Sequence, residues 1–307
     1  MSAPPTVSSS APSGGGASAP ALAASPGALW ELTKPGVTRL VVITTAAGAF
    51  AAPGAVEGAR LAAALGGTAL VVAGANALNQ ALERETDALM SRTRTRPLPE
   101  GRVSAEVAWG FGIVVALAGS ALLAVLAGPV AAALAVAALV VYVGAYTPMK
   151  RATPLALYVG AVPGALPPLI GWASVTGEVG LGGLALFAIL FVWQLPHFLA
   201  IATFRRDEYA RAGIRVAPVV HGAASTRRQL AAGAAALLLV SLAPPLVGLG
   251  GPAYVAVASL TGLAYGALAV YGWLREGGER WARAVFFSSM PHLVALFTTL
   301  VLSTRLG

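Results

Sequence analysis

The sequence contains no cysteine and few charged residues, and each shortage removes a class of protein. Without cysteine, the 307-residue chain has no disulfide, no haem–thiolate linkage and no zinc or redox site built on thiolates. Charged residues make up 10% of the chain, whereas they are about a quarter of a soluble domain. Hydrophobic residues reach 57% and the mean hydropathy is +0.77. This composition is typical of a protein that crosses the membrane several times.

The first 28 residues lack charge as well. They consist mainly of Ala, Ser, Pro and Gly with no acid and no base, a composition that cannot bury a core and predicts a disordered head. No Lys or Arg precedes Lys34, so the positive region of a secretory signal is missing. Residues 29–307 are predicted to form one transmembrane domain.

Apolar runs long enough to cross a bilayer follow, and they predict an all-α membrane protein of about nine transmembrane helices. The runs are roughly 37–53, 61–82, 105–127, 129–147, 155–174, 182–203, 229–249, 253–274 and 284–303. All but two of the 20 basic residues, Arg60 and Arg305, lie in connections on one predicted face. By the positive-inside rule that face, and with it the N-terminus, is cytoplasmic. The net charge of +8 therefore indicates topology and not a nucleic-acid partner.

The second apolar run ends in a ladder of oxygen-bearing side chains. Asn79, Glu83 and Asp87 are spaced i, i+4 and i+8, and four helical residues turn about 400° and rise about 6 Å, so the three share one face. Mg²⁺ usually takes one or two carboxylates and completes its shell with phosphate oxygens and water. Forked donors for phosphate lie just downstream at Arg92, Arg94 and Arg96. The stretch predicts a magnesium–diphosphate site; its ordinary alternative is a solvated helix cap.

A second cluster of acids and arginines, FRRDEYARAGIR, follows the sixth run on the same predicted face. Asp207 and Glu208 lie beside Arg205 in this segment, so the two clusters are candidates to share one diphosphate. Taken alone, the segment is more typical of a surface turn with i,i+4 salt bridges, and it is the pairing with the first cluster that favours the functional interpretation. Lys150 and Arg151, in the YTPMKR connection, are further candidates for the same phosphates, although positive-inside anchoring also explains them.

Two features lie at membrane depth. His197, in WQLPHFLA, is about two turns before Arg205, and an ionisable residue there is a functional candidate. The alternative is a neutral imidazole that is hydrogen-bonded within the bundle. The fifth run contains Pro163, Pro167 and Pro168. It is predicted to be an interrupted helix beside a pocket, since irregular backbone at this depth is tolerated where it lines a cavity.

Four segments resemble the UbiA-type intramembrane prenyltransferases: LTKPGVT, NQALERETDALMSRTRTRPLPEGR, YTPMKR with VGAVPGALPPLIGW, and WQLPHFLAIATFRRDEYARAG. The resemblance extends from about residue 29 to 302, and RTRTRPL and PGALPPLIGW favour the branch that prenylates haem. The family's first motif is commonly N-x-x-x-D-x-x-x-D, and here Glu83 holds its middle position. The acid of the second motif falls on Glu208, with Asp207 beside it, so both stay candidate metal ligands.

The resemblance implies a bundle around a lipid-open cavity that binds farnesyl diphosphate. Mg²⁺ and the catalytic chemistry would involve Asn79, Glu83, Asp87, Asp207 and Glu208. The diphosphate would be clamped by Arg92, Arg96, Lys150, Arg151 and Arg205. By the same resemblance, the acceptor would be a vinyl group of haem b, a substrate and not a cofactor, and the product would be haem O for haem–copper oxidase assembly. His197 would orient the haem or the attacking water.

Location and partners also follow from the resemblance. It implies a multi-pass protein in the lipid bilayer of the bacterial inner membrane, with other membrane enzymes of the haem pathway as candidate partners. Two rival functions stay open: prenylation of an aromatic quinone precursor such as 4-hydroxybenzoate, and a membrane transporter or lipid-binding scaffold. Nearly all charges are interfacial, which favours diphosphate chemistry over a translocation path.

Overall fold

The computed structural model describes residues 24–306, and its regular secondary structure there is all helical. Residues 1–23, most of the predicted disordered head, lie outside the described residues, as does residue 307. The first described helix, α1, spans Pro26–Leu32. Its N-cap is Ser25, whose hydroxyl oxygen accepts from the amide of Ala28 at 3.2 Å. Helical structure therefore begins within the last residues of that predicted head.

Eight helical segments of the described chain are long and apolar enough to cross a membrane. They are α3 (Gly58–Ala88), α4 (Ala105–Leu122, continued by a π-helical turn to Ala127), α5 (Pro129–Val140, continued through a π-helical stretch into α6, Thr147–Met149), α7 (Ala156–Thr176), α8 (Leu181–Phe204), α11 (Gly222–Ser241), α12 (Pro252–Leu274) and α13 (Glu279–Leu306). A further apolar helix, α2 (Pro35–Ala51), has 17 residues and corresponds to the first predicted run. The prediction of about nine spans is thus close to the eight found. Two short helices, α9 (Arg206–Arg211) and α10 (Ala217–Val220), connect α8 to α11.

The helices form one packed bundle. Helices that follow one another in sequence lie side by side, and α13 returns to contact α2. The guanidinium of Arg305, near the end of α13, donates to the carbonyls of Phe50, Gly54 and Ala52 at 2.7, 3.0 and 3.2 Å. Carbonyls at a helix C-terminus lack partners within the helix, so Arg305 caps the end of α2 and joins it to the last helix.

Helix α7 differs from the sequence prediction, because it is continuous. Pro163, Pro167 and Pro168 all lie within Ala156–Thr176, so the predicted interruption is wrong. Proline is tolerated in a transmembrane helix where neighbouring helices supply the missing backbone partners. Helix α8 also bonds to this helix directly, since the side-chain amide of Gln194 donates to the carbonyl of Ala161 at 3.0 Å. The helix also packs against α2 and α5.

The crossing of α2 and α7 depends on two glycines. A Cβ added to Gly171 would overlap the carbonyl oxygen of Thr45, and one added to Gly48 would overlap that of Pro168. Small residues of this kind allow helix backbones to approach closely in a membrane. Side chains of any size at these positions would force the two helices apart.

We expect Gly171→Ala to destabilise the protein by about 1–3 kcal/mol, because the added methyl group overpacks this crossing. The thermal unfolding midpoint of the detergent-purified protein is the measurement. Gly110→Ala, on α4, is the matched control, since a Cβ there meets nothing within 4 Å. Equal midpoints for the two variants would contradict the close approach of α2 and α7.

Candidate active site

The first motif lies at the C-terminal end of α3, and its asparagine is fully enclosed. Asn79 is buried. Its Oδ1 accepts from Nζ of Lys34 at 2.8 Å, and its Nδ2 donates to Oγ1 of Thr147 at 3.0 Å. This side chain therefore joins the start of α2 to α3 and to α6.

The two acids of the first motif each form an ion pair with a different basic residue. Oε1 of Glu83 accepts from Nζ of Lys150 at 2.8 Å. Oδ2 of Asp87 accepts from Nη1 of Arg96 at 2.6 Å, and the Asp87 side chain is only 2% exposed. The predicted row of oxygen-bearing side chains is thus present on one helix face. Each of the three accepts a hydrogen bond from a basic residue outside α3.

The acid of the second motif connects the two clusters. Oε1 of Glu208, on α9, accepts from the Ser91 hydroxyl at 2.8 Å and from the backbone N–H of Arg92 at 3.2 Å. Oε2 accepts from Arg205 at 2.9 Å. Burial favours the neutral acid, but the hydrogen bonds from Ser91, Arg205 and the Arg92 amide outweigh it and hold the pKa of Glu208 below its usual value. The connections after α3 and after α8 therefore meet at one rim of the bundle.

Asp207 is not brought into this arrangement. Its side chain is 80% exposed, and its closest basic group is Arg206 at 3.8 Å. Glu208, by contrast, is 9% exposed and turned towards Ser91. Of the two adjacent acids that the sequence left as alternatives, the geometry brings Glu208 into the cluster and leaves Asp207 outside it.

The predicted phosphate-binding residues fall into two groups. Arg96, Lys150 and Arg205 are paired with acids at the rim. The guanidinium of Arg151 instead donates to the Thr86 hydroxyl, and the side chain of Arg92 is exposed while its backbone amide serves Glu208. All five basic residues are therefore on the connections that surround the C-terminal end of α3.

Lys34 is the main site residue that sequence reasoning missed. It has a left-handed backbone, φ 49°, immediately before Pro35 begins α2. Burial, with the positive charges of Arg96 and Lys150 nearby, lowers its pKa to about 7, and Glu83 and Asp87 offset this only in part. The available signal was its place in LTKPGVT, a segment of the family resemblance, on the same predicted face as both clusters.

The oxygen donors suit a cation that arrives with phosphate. Within residues 24–306, no three His, Cys, Asp or Glu side chains are gathered around a common point that would hold a metal ion by themselves. Mg²⁺ needs only one or two carboxylates when phosphate oxygens and water complete its shell. Asn79, Glu83 and Asp87 fit that role, because each oxygen is held by an exchangeable cationic or hydrogen-bonding donor.

His197 lies in a separate, deeper layer. It is buried in α8, eight residues before Arg205, which is about 12 Å along a helix axis. Nδ1 of its ring is 2.7 Å from the hydroxyl oxygen of Ser289 on α13. The site thus has a charged rim and, below it, a polar pair in a mostly apolar interior.

Fold and site together define an integral membrane enzyme that accepts a phosphate-bearing substrate at the mouth of an apolar bundle. The model of the UbiA prenyltransferase family matches residues 40–290. The chain belongs to the UbiA prenyltransferase family.

Known proteins agree with this assignment. The chain is 53% identical over 274 residues to the protoheme IX farnesyltransferase of Anaeromyxobacter sp. (strain Fw109-5), which covers 89% of this chain and 92% of the relative. A digeranylgeranylglyceryl phosphate synthase structure shares the fold with a TM-score of 0.77 at 15% identity, covering 91% of this chain and 98% of the other. A UbiA homologue from Archaeoglobus fulgidus bound to GPP and Mg²⁺ has a TM-score of 0.65 at 18% identity, covering 89% and 99%.

Replacing Glu208 tests how the two clusters are joined. We expect Glu208→Gln to cost about 1–3 kcal/mol, because the neutral amide leaves Arg205 without its counter-charge and offers only one acceptor oxygen to its donors. Asp207→Asn should leave the thermal midpoint unchanged, since that carboxylate is exposed. Similar losses in both variants would contradict the different placement of the two acids.

Lys34 should make stability depend on pH. Its pKa is about 7 in the folded protein and 10.5 ordinarily, so between these values the unfolded state binds more protons and stability rises with pH. The thermal midpoint of the wild type, relative to Lys34→Met, should increase between about pH 6.5 and about pH 9. Arg39→Met, on the exposed face of α2, is the control. Parallel pH profiles for the wild type and Lys34→Met would refute the lowered pKa.

Proposed function

We propose that this chain transfers the farnesyl group of farnesyl diphosphate to a vinyl group of haem b and so makes haem O for haem–copper oxidase assembly. The observation that carries the proposal is the bonding of Glu208 to Ser91 and to the Arg92 amide. It brings both acid–cation clusters to one rim, where a single diphosphate can contact both. The name of the 53% identical relative, protoheme IX farnesyltransferase, supports the choice of donor and acceptor.

The rim supplies donors that can exchange partners when the substrate binds. Lys34, Lys150, Arg96 and Arg205 each hold a side-chain oxygen of the site at 2.6 to 2.9 Å. A bound diphosphate would take over these donors, since phosphate oxygens accept charge-assisted hydrogen bonds as well as carboxylates do. This exchange would release side-chain oxygens to hold Mg²⁺, namely those of Asn79, Glu83, Asp87 and Glu208. The homologue that was solved with GPP and Mg²⁺ supports the joint binding of a prenyl diphosphate and this cation.

The leaving group must be stabilised as its charge develops. When the carbon–oxygen bond of the allylic diphosphate breaks, the electron pair stays on the diphosphate and an allylic cation remains. Mg²⁺, when bound, neutralises part of that negative charge. Arg96, Lys150 and Arg205, once they have turned to the bound diphosphate, do the same, and little further reorganisation is needed at the moment of reaction.

The allylic cation that remains also needs a partner, and aromatic rings lie next to Lys150. Nζ of Lys150 is 4.4 Å from the centroid of the Tyr146 ring, and Tyr142 is 5.4 Å from that ring. If Lys150 turns to phosphate, the face of Tyr146 becomes free for the allylic cation. The π-electrons of the haem vinyl group attack that cation, and water adds at the resulting positive carbon with loss of a proton, which gives the hydroxyethylfarnesyl side chain.

The fold by itself leaves the acceptor open, because a digeranylgeranylglyceryl phosphate synthase shares it. We therefore keep prenylation of a quinone precursor such as 4-hydroxybenzoate as the alternative to be tested. We also propose that the protein lies in the bacterial inner membrane with the charged rim and the N-terminus in the cytoplasm. The distribution of Lys and Arg supports this orientation. Other membrane enzymes of the haem pathway are the proposed partners.

The decisive experiment gives purified protein farnesyl diphosphate, Mg²⁺ and either haem b or 4-hydroxybenzoate, and identifies products by mass spectrometry. We expect haem O only, and none in the presence of EDTA. Asp87→Asn should lower turnover at least about 100-fold, as expected when a stabilising charge is lost, whereas Asp207→Asn should retain it. Prenylated 4-hydroxybenzoate without haem O would overturn the proposed acceptor, and near-normal turnover of Asp87→Asn would remove the role of that acid.

A further inference from the structure

His197 and Ser289 form an isolated polar pair between α8 and α13, and their distances identify the imidazole tautomer. The hydroxyl oxygen of Ser289 is 2.7 Å from Nδ1 of His197 and 2.6 Å from the carbonyl oxygen of Phe286. Two oxygens that close repel each other unless a proton lies between them. Serine has one hydroxyl proton, so it points to Phe286, and Nδ1 of His197 must be the donor. The ring is therefore protonated on Nδ1 and carries a bare lone pair on Nε2.

Aromatic contacts hold this ring in one orientation. The ring centroid of Trp193 is 4.4 Å from that of His197, and the centroid of Phe286 is 4.7 Å away. The indole N–H of Trp193 donates to the carbonyl of Ser289 at 2.8 Å. Trp193 and His197 therefore both bond to Ser289 of α13, one to its carbonyl and the other to its hydroxyl. Rotation of the imidazole would break its bond to Ser289 and its ring contacts at once.

The protein does not completely enclose Nε2 of His197. Among the residues that the structure describes, Nε2 of His197 makes no hydrogen bond, yet it is not one of the sealed, unpartnered polar atoms. The second buried histidine, His292, gives the contrast. Its Nδ1 is paired with the Thr261 hydroxyl at 2.8 Å, but its Nε2 is completely enclosed. Of these two histidines, only His197 has an Nε2 that the described residues leave both unbonded and partly uncovered.

We propose that Nε2 of His197 binds the iron of the haem substrate as an axial ligand, and that Ser289 is the positioning residue that fixes the required tautomer. This inference rests on the proposed function, since a haem acceptor is what brings an iron atom into the bundle. Histidines that bind metals almost always donate their other ring N–H to a neighbouring acceptor, which is the role of Ser289. A histidine is also the axial haem ligand in globins and peroxidases.

The position of His197 is consistent with transfer from the rim. Iron held there would lie about 12 Å below Arg205 along α8. The porphyrin would then remain in the apolar interior, with one edge directed to the space under the diphosphate. Axial ligation would set the height of the vinyl group relative to the allylic carbon, which the apolar contacts of a flat macrocycle do not fix by themselves.

The test uses purified full-length protein with ferric haem b and no farnesyl diphosphate, followed by optical and electron paramagnetic resonance spectra. We expect the wild type to show a histidine-ligated iron, His197→Ala to lose that signature, and added imidazole to restore it. Ser289→Ala should weaken haem affinity about 10- to 100-fold, the usual effect of losing such a supporting contact. Ser288→Ala is the matched control, since its hydroxyl bonds only the Val285 carbonyl, at 3.1 Å.

Further variants keep the outcome decisive. If His197→Ala fails to fold, His197→Gln retains most of the volume and should show the same spectral loss. An unchanged spectrum in a folded His197 variant, or loss of the signature in His292→Ala instead, would overturn axial ligation. A wild type that makes haem O without a histidine signature overturns this inference alone. A wild type that binds no haem and prenylates 4-hydroxybenzoate overturns the proposed function as well.

Discussion

The site depends on charge balance at the boundary between membrane and water. Glu83, Asp87 and Glu208 each contact a cation from another segment or the adjoining turn, and removing one partner of such a pair leaves the other charge without compensation. A substrate that enters must therefore replace the pairs without leaving any charge uncompensated. A diphosphate accompanied by a divalent cation does so, because the anion suits the basic residues and the cation suits the acids.

Much of the fold could be predicted from hydrophobicity, and the exceptions are informative. The second apolar run ends at about residue 82, whereas α3 continues to Ala88. Hydropathy marks the part of a helix that lies in lipid, but the polar ladder remains helical beyond it. In α7 the three prolines predict an interruption. The helix is nevertheless continuous where it packs among α2, α5 and α8, and no local pattern reveals that packing.

The sequence alone does not predict which polar side chains of the site contact each other. Lys34 meets Asn79 across 45 residues, and Ser91 meets Glu208 across 117; a single sequence shows the charges but not which ones meet. Asp207 and Glu208 are neighbours, so their side chains point about 100° apart on a helix. Only the orientation of the six-residue helix α9 decides between them. The His197 tautomer likewise follows from the position of Ser289 on another helix.

The cap that Arg305 places on α2 has a consequence for biosynthesis. Its contact with Phe50 spans 255 positions of the chain, so a growing polypeptide leaves the ribosome with the first long helix complete and its terminal carbonyls unmatched. They stay so until translation reaches the end of the last helix. A product that stops before α13 would keep the close crossing of α2 with α7, but the carbonyls at the end of α2 would lack the Arg305 guanidinium.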